Sequence, residues 1–245
     1  MKKSMLILIA FALGIIITSC SDSISNPDDT QTGKIALFTL PAGATISIDG
    51  IIKGVTPDTI TTEVGMQNIN FSLANYRDTT IAIAVSADNI ELLTVNMIPI
   101  RKKYGLVKIW ETGNNSNADE PSGIDLSAGT AISISGADSL SSDMYYTGSN
   151  FTIRSAGYLG ENYRVTHFKA GSSANINDGL DSPTYDGTWD LSMPDDVGNY
   201  YFIYDNDGNY TKFKVTNAGG EGTWNNPKWV EVEWIYVQAP GVTSF

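Results

Sequence analysis

Residues 41–57 read PAGATISIDGIIKGVTP, and this stretch decides the fold that we predict for the first part of the chain. Ile46 and Ile48 alternate with polar neighbours, which is the period of a half-buried β-strand. Asp49-Gly50 separates this run from a second apolar run, and the pattern favours a tight hairpin because glycine accepts the positive φ of a primed turn. Similar alternation predicts further strands at 67–73, 79–85 and 91–98.

Residues 104–245 differ in composition from the residues before them. They hold all five Trp and 11 of the 12 Tyr, and they carry 18 acidic residues against seven Lys and Arg. The last apolar run, 228–237, alternates with Glu231 and Glu233, so we expect one buried face. Other strand-like runs lie at 105–110, 131–135, 151–155, 200–204 and 210–216. The sequence therefore predicts an all-β protein, with a small β-sandwich over 34–100 and a larger antiparallel β domain over 104–245.

Three successive cations, Arg101-Lys102-Lys103, separate the two predicted domains. We interpret Ile100 to Lys103 as a solvated linker. The alternative is a contact of these cations with anionic lipid headgroups or with the acidic second domain.

The composition excludes several classes of function. The 245 residues include one Cys and one His and carry a formal net charge of −12. A single Cys and a single His exclude a disulfide framework, a Cys₂His₂ or Cys₄ zinc site and bis-histidine ligation within one chain. No basic stripe interrupts the negative charge, which would repel a phosphate backbone, so we expect no nucleic-acid partner.

The N-terminal residues have the pattern of an export signal. Lys2 and Lys3 precede an apolar run over 4–17. As a helix this run would measure about 21 Å, which is short of the roughly 30 Å core of a bilayer. It therefore indicates a removable signal peptide, residues 1–19, rather than a stable anchor.

Ile17-Thr18-Ser19-Cys20 ends the apolar run and resembles the lipobox of bacterial lipoproteins. The resemblance implies cleavage before Cys20, a diacylglycerol on its thiol and usually an acyl chain such as palmitate on the new amino group. Several acyl chains anchor a protein firmly, since each buried methylene contributes about 0.8 kcal/mol. The expected partner is therefore a membrane, bound through the lipid at Cys20. The alternative is an ordinary secreted protein with a chance Cys at the cleavage point.

Residues 20–33 are predicted to be a flexible tether, because their Ser, Asp, Asn, Thr and Pro leave little apolar surface to bury. Ser21 directly after Cys20 resembles the sorting signal for the outer membrane. A looser resemblance, to the surface-export signals of some Gram-negative groups, rests on Asp22, Asp28 and Asp29. We therefore expect a cell-envelope lipoprotein of the outer membrane that is exposed at the surface.

The first predicted domain resembles the PEGA domain, a family named for a Pro-Glu-Gly-Ala motif. The resemblance rests on the order and spacing of Pro41-Ala42-Gly43-Ala44, Ile46-Ser47-Ile48-Asp49-Gly50, Gly54-Val55-Thr56-Pro57, Gly65 and Asn75-Tyr76. Ala42 replaces the family's Glu, and Asn75 stands where Gly commonly precedes Tyr. The resemblance implies a small β-sandwich that serves as a surface or spacer module and has no catalytic role.

The order of motifs in the second domain is similar to that of the haem-scavenging lipoproteins of Gram-negative bacteria, which are all-β. The motifs are SGIDLSAGT at 122–130, DMYY at 143–146, YFIY at 201–204 and DGNYTKFKV at 207–215. That family grips haem between two His, whereas His167 is the single His of this chain. The departure puts a haem role in doubt even if the fold is shared.

Catalytic patterns are weak, and we predict a protein that is not an enzyme and needs no cofactor. Cys20 is used as the lipid site, and no G-x-S-x-G nucleophile motif accompanies His167. A pair of carboxylates placed for glycoside hydrolysis is the remaining alternative. Most acidic residues lie in turn-like contexts that solvation explains, for example Asp178, Asp181, Asp195 and Asp196.

Asp205, Asp207 and Asn209 place oxygen ligands at alternate positions and form a candidate calcium site. An EF-hand loop needs Gly at its sixth position and Glu at its twelfth. Here Gly208 is fourth and Thr216 is twelfth. A tight hairpin turn between two strands explains the same residues without an ion.

Exposed aromatic residues form the candidate ligand surface, although core packing is the usual role of Trp and Tyr. Trp224 and Trp229 flank Asn225-Asn226-Pro227 after a glycine-rich stretch, and we rank them first because a loop is expected to expose them. Tyr185 and Trp189 are ranked second.

Together these observations predict a non-enzymatic, lipid-anchored cell-surface protein. Its PEGA-like domain is expected to be a spacer that presents the acidic β domain to an extracellular carbohydrate, small molecule or protein. The first alternative is a haem or small-ligand scavenging lipoprotein, with a deep apolar slot beside His167, Met144 or a Tyr. The second is a carbohydrate-active enzyme, with two inward carboxylates of which one has a raised pKa.

Overall fold

The computed structural model describes residues 30–114, 119–148 and 150–245. The predicted signal peptide 1–19, the predicted lipid site Cys20 and the tether up to residue 29 lie outside the described residues. The described residues contain 17 strands and three short 3₁₀ helices, at Thr112–Asn114, Ala137–Ser141 and Ala156–Leu159. The predicted all-β class is therefore confirmed. Within the described ranges, no helix is long and apolar enough to cross a membrane.

Seven strands form a first sandwich, residues 32–96. They are β1 (Thr32–Leu40), β2 (Thr45–Ile48), β3 (Ile51–Val55), β4 (Asp58–Glu63), β5 (Gly65–Ser72), β6 (Thr79–Val85) and β7 (Ile90–Asn96). One sheet has the order β4-β1-β7 and the other has the order β3-β2-β5-β6. All neighbours are antiparallel except β1 and β7, which are parallel. The three further strands predicted for this part of the chain correspond to β5, β6 and β7.

The hairpin between β2 and β3 has the predicted turn. Asp49 and Gly50 adopt φ values of 51° and 77°, and a primed turn needs positive φ at both central residues. This turn sets the register that buries Ile46 and Ile48. They share one core with residues of the other sheet, including Ile35, and full burial of each such side chain contributes about 1.5–3 kcal/mol.

Ten strands form a second sandwich, residues 101–237. They are β8 (Arg101–Trp110), β9 (Gly123–Asp125), β10 (Thr130–Ile132), β11 (Met144–Thr147), β12 (Thr152–Ser155), β13 (His167–Ala170), β14 (Ser192–Pro194), β15 (Tyr201–Tyr204), β16 (Tyr210–Gly219) and β17 (Trp229–Val237). Two five-stranded sheets have the orders β10-β9-β11-β12-β14 and β13-β15-β16-β17-β8. All neighbours in both sheets are antiparallel, as predicted.

Strand β17 joins the two sheets of the second sandwich. Val230, Val232 and Trp234 point into the shared core and are fully buried, as their alternation predicts. The indole N–H of Trp234 donates a hydrogen bond to the carbonyl of Leu126 at 3.0 Å. Leu126 directly follows β9 of the opposite sheet, so this bond satisfies a buried donor and ties the sheets together.

The structure corrects two predicted boundaries. Arg101 to Lys103, predicted as a linker, are the first residues of β8 and pair with residues 235–237 of β17. The second sandwich therefore begins at residue 101 rather than 104, because the neighbouring strand supplies backbone partners that local charge does not reveal. Thr32 and Gly33, predicted as the end of the tether, belong to β1.

The described chain has separate hydrophobic cores within residues 35–97 and 109–236. We expect the fragments 30–100 and 101–245 each to fold alone, since each keeps its complete set of paired strands. Thermal unfolding followed by circular dichroism should give a cooperative transition for each fragment. If both fragments are unfolded while the whole chain shows a single cooperative transition, the two sandwiches form one folding unit.

Candidate functional site

The loop between β16 and β17 exposes a tryptophan at its tip. The backbone N–H groups of Thr223 and Asn226 each donate to the other residue's carbonyl, at 3.2 and 3.0 Å. Trp224 is the first of the two residues between them, and it is 69% exposed. This hydrogen-bonded turn therefore holds an indole ring in solvent.

The base of this loop is fixed to the second sandwich. Gly222 has a φ of 71°, which favours glycine. A Cβ atom added there would lie 2.8 Å from the Phe151 ring, so a larger residue would also clash with that ring. Lys228 Nζ lies 4.1 Å from the centroid of the same ring. The Lys228 carbonyl accepts a hydrogen bond from the N–H of Glu111 at 2.9 Å. A fixed base limits the conformational entropy that the tip would lose on binding a ligand.

The structure corrects the expected position of Trp229, which is the first residue of β17 and not part of the loop. It pairs with Trp110 of β8 and with Gly219 of β16. Its ring packs over Gly219, where an added side chain would lie 2.5 Å away. Lys108 Nζ lies 3.9 Å from the ring centroid. Trp229 is therefore half-buried, and protein groups already cover its ring.

The second-ranked residues, Tyr185 and Trp189, lie in the segment that connects β13 to β14. Trp189 is 6% exposed and belongs to an aromatic cluster that includes Phe202 and Tyr210. Tyr185 stacks on Tyr204 with ring centroids 4.4 Å apart. The structure thus gives both residues a packing role, and ligand binding by either of them stays a prediction.

His167 lies against Tyr185 at the edge of this aromatic cluster. The Tyr185 hydroxyl is 3.1 Å from Nε2 of His167. Burial lowers the pKa of His167 below its ordinary value, although a hydrogen bond with the backbone of Trp189 acts in the opposite direction. Met144, the other side chain named for an apolar slot, is fully buried between the two sheets. An external ligand therefore cannot reach Met144 in the folded protein.

Asp205, Asp207 and Asn209 form the predicted turn between β15 and β16. Oδ1 of Asp205 accepts hydrogen bonds from the backbone N–H groups of Asp207 and Asn209, both at 2.9 Å. Its Oδ2 accepts a hydrogen bond from the Tyr236 hydroxyl at 3.1 Å. Among the residues that the structure describes, no group of three or more His, Cys, Asp or Glu side chains could hold a metal ion. Turn geometry accounts for the motif, and calcium binding there stays a prediction.

A buried ion pair beside this turn has no signal in the sequence. Asp143 is 1% exposed, and its Oδ1 accepts a hydrogen bond from Nε of Arg164 at 2.6 Å. Its Oδ2 accepts a hydrogen bond from the N–H of Leu126 at 2.8 Å. The same guanidinium pairs with Asp207. Arg164 thus supplies positive charge to two carboxylates that lie far apart in the sequence.

The environment of Asp143 bears on the enzyme alternative. Burial raises the pKa of the Asp143 carboxyl to about 7, although the charge and hydrogen bond of Arg164 act in the opposite direction. A raised carboxyl pKa is one property of a glycosidase acid. Asp143, however, is sealed inside the sandwich with both oxygens bonded to protein groups, so a sugar cannot reach it in this conformation.

A second buried ion pair lies beneath the segment that connects β13 to β14. Lys212 is 0% exposed, and its Nζ is 2.5 Å from Oδ1 of Asp178. The rings of Tyr200 and Phe245 have centroids 4.9 and 5.0 Å from Nζ. The alternation of β16 assigns Lys212 to an exposed face, so sequence reasoning misses it. Lys212 is covered by Asp178, Tyr200 and Phe245, which come from distant parts of the chain.

Comparison with known proteins finds a family that the first sandwich is similar to. Residues 32–98 match the PEGA domain family. The match spans every strand from β1 to β7 and supports the resemblance predicted from the turn motifs of that segment. It ends before β8, so the second sandwich lies outside it. No curated protein matches the chain.

Proposed function

We propose that this chain is a non-enzymatic, lipid-anchored protein of the cell surface. In this proposal the PEGA segment is a spacer, and the second sandwich binds an extracellular ligand. The observation that carries the proposal is the order of the parts: a lipobox-like Cys20, the matched segment 32–98, and then a separate acidic sandwich with Trp224 exposed at a loop tip. A PEGA segment is compatible with a surface or spacer role.

The distance from the anchor to the first sandwich fits a spacer arrangement. The segment from Cys20 to Thr32 would reach at most about 40 Å when fully extended. The lipid would therefore hold the PEGA segment close to the membrane. The second sandwich follows it in the chain and would extend the protein further. Ser21 after Cys20 favours the outer membrane as the site of anchoring.

Trp224 is the ligand contact that we propose. An exposed indole on a fixed turn offers a flat apolar face that can stack on a sugar ring or on an aromatic ligand. Because the loop base is held by Phe151 and Lys228, little conformational entropy would be lost on binding. A carbohydrate is therefore the first ligand class to screen.

Trp224→Ala tests this contact in the mature chain, residues 20–245, with Cys20→Ser to keep it free of lipid. In a glycan-array screen the change should abolish the binding seen with the unchanged chain. It should shift the melting temperature by only about 1–2 °C, since exposed substitutions usually change stability by less than 0.5 kcal/mol.

Trp229→Ala is the matched control for this experiment. It should lower the melting temperature by several degrees, because truncating a packed Trp leaves a cavity. Two results would contradict the assignment: glycan binding that survives Trp224→Ala, or a fall in melting temperature as large as that caused by Trp229→Ala.

A further inference from the structure

One row of side chains crosses the sheet β13-β15-β16-β17-β8 and alternates cations with apolar residues. The strand registers place five residues side by side, one on each strand: Lys169, Phe202, Lys212, Ile235 and Lys103. Directly opposed residues on antiparallel strands share one face of the sheet. The buried Lys212 is neutralised by Asp178, whereas the side chain of Lys103 at the end of the row is 47% exposed.

A cavity of about 290 Å³ opens at the β8 end of this row. Ile235 and Lys103 line it together with Arg101, Ile176 and Phe245. Arg101 and Lys103 are two residues apart on β8 and therefore lie on the same face. Among the described residues that line the cavity, none carries a carboxylate side chain, and the terminal carboxylate of the sequence belongs to the lining residue Phe245. An apolar cavity with two cations at its wall is unexpected in a chain with a net charge of −12.

The two cations keep the capacity to bind an anion. Arg101 donates from Nε and Nη2 to the carbonyl and hydroxyl of Ser244, at 3.2 and 2.9 Å. These bonds use two of the five N–H donors of its guanidinium and hold it in place. Lys103 Nζ lies 3.3 Å from Glu233. The Lys103 side chain is 47% exposed and that of Glu233 is 20% exposed. Solvent screens such a partly exposed pair, so an incoming anion would compete with Glu233 for the Lys103 ammonium.

We propose that this cavity binds a small organic anion with an apolar body, such as a medium-chain carboxylate. The carboxylate would lie between Arg101 and Lys103, and its chain would pack on Ile176, Ile235 and Phe245. Guanidinium and ammonium donors form charge-assisted hydrogen bonds with carboxylates. The volume lies at the lower limit of small-molecule sites, which restricts the ligand to a single medium-length chain. The site is distinct from Trp224, and the proposal does not depend on a ligand there.

Isothermal titration calorimetry with sodium octanoate tests the site on the mature chain carrying Cys20→Ser. Octanoate should bind with one-to-one stoichiometry. The neutral 1-octanol should bind at least tenfold more weakly, because it lacks the charge-assisted contacts. Octylammonium should not bind, since its charge is repelled by Arg101 and Lys103. No heat with millimolar octanoate, or equal affinity for octylammonium, would overturn the proposal.

Lys103→Gln should weaken octanoate binding about tenfold, which is the loss expected for one charge-assisted contact. Lys102→Gln is the matched control, because it removes the same charge from the adjacent residue of β8, which does not line the cavity. It should leave the affinity unchanged. Equal losses from the two substitutions would show that octanoate responds only to overall charge and would overturn the site. Lys103→Glu, with its reversed charge, should abolish binding.

Discussion

Replacing Asp178 by alanine should lower the free energy of unfolding by about 3 kcal/mol, and the melting temperature by roughly 6–12 °C. The change leaves the ammonium group of Lys212 without its counter-charge. Water cannot replace that charge, because Lys212 is 0% exposed. Removing one partner of a buried ion pair is costly because the other charge stays desolvated. The side chain of Asp178 is itself 13% exposed, which places the expected loss at the low end of the range. Differential scanning calorimetry measures it.

The double variant Asp178→Ala/Lys212→Met is the control, because it removes both charges and should recover most of the lost stability. Acid provides an independent check. Burial alone would raise the pKa of Asp178, but hydrogen bonds, led by that of Lys212, lower it to about 2. A lowered folded-state pKa stabilises the protein above pH 4, and this contribution should disappear as the pH falls from about 4 to 2. A double variant as unstable as Asp178→Ala would contradict this explanation.

Arg164→Met should destabilise the protein by about 1 kcal/mol more at pH 8 than at pH 5. Burial raises the pKa of Asp143 to about 7, above its ordinary value of 3.8. At pH 5 the folded state therefore holds Asp143 as a neutral acid, which does not need the guanidinium. At pH 8 Arg164 stabilises the ionised carboxylate of the unchanged chain, whereas the variant keeps Asp143 protonated because its pKa rises further without Arg164. The extra loss at pH 8 is therefore about 1 kcal/mol, since pH 8 lies only about one unit above the pKa and one pKa unit corresponds to about 1.4 kcal/mol. The expected loss at pH 5 is under about 1 kcal/mol.

Urea denaturation of both chains at the two pH values measures this difference. The sign follows from proton binding: between pH 4 and 7 the folded state binds a proton that the unfolded state has lost, so this group favours folding less as the pH rises. In an Asp143→Asn background the effect of Arg164→Met should no longer depend on pH. Equal losses at pH 5 and pH 8 in the unchanged background would show that Asp143 is not the responsible group.

The elements that the sequence predicts well are those set by neighbouring residues. Asp49-Gly50 specifies the turn between β2 and β3, and the Asp205 turn joins β15 to β16 with Gly208 at a φ of 81°. The alternation in β17 predicts its buried face correctly. In each case the residues that determine the turn or the strand lie within the element itself, since turn chemistry and strand period act over a few residues.

The features that the sequence does not reveal depend on contacts between distant segments. Lys212 lies on a face that strand alternation marks as exposed, and the connection between β13 and β14 covers it with Asp178. Asp143 and Arg164 lie in different connections between strands and meet only in the folded sandwich. The sequence predicts a loop position for Trp229, yet this residue pairs with Trp110 and Gly219 and belongs to β17. Composition alone does not show which strands become neighbours.

The proposed lipid at Cys20, which would anchor the two sandwiches, is tested most directly by metabolic labelling with an alkyne fatty acid. The unchanged chain and Cys20→Ala are expressed in a Gram-negative host, and the incorporated label is detected on each purified protein. We predict label on the unchanged chain and none on Cys20→Ala, which should remain at the size of the uncleaved precursor. Equal incorporation into both chains would contradict the lipoprotein assignment.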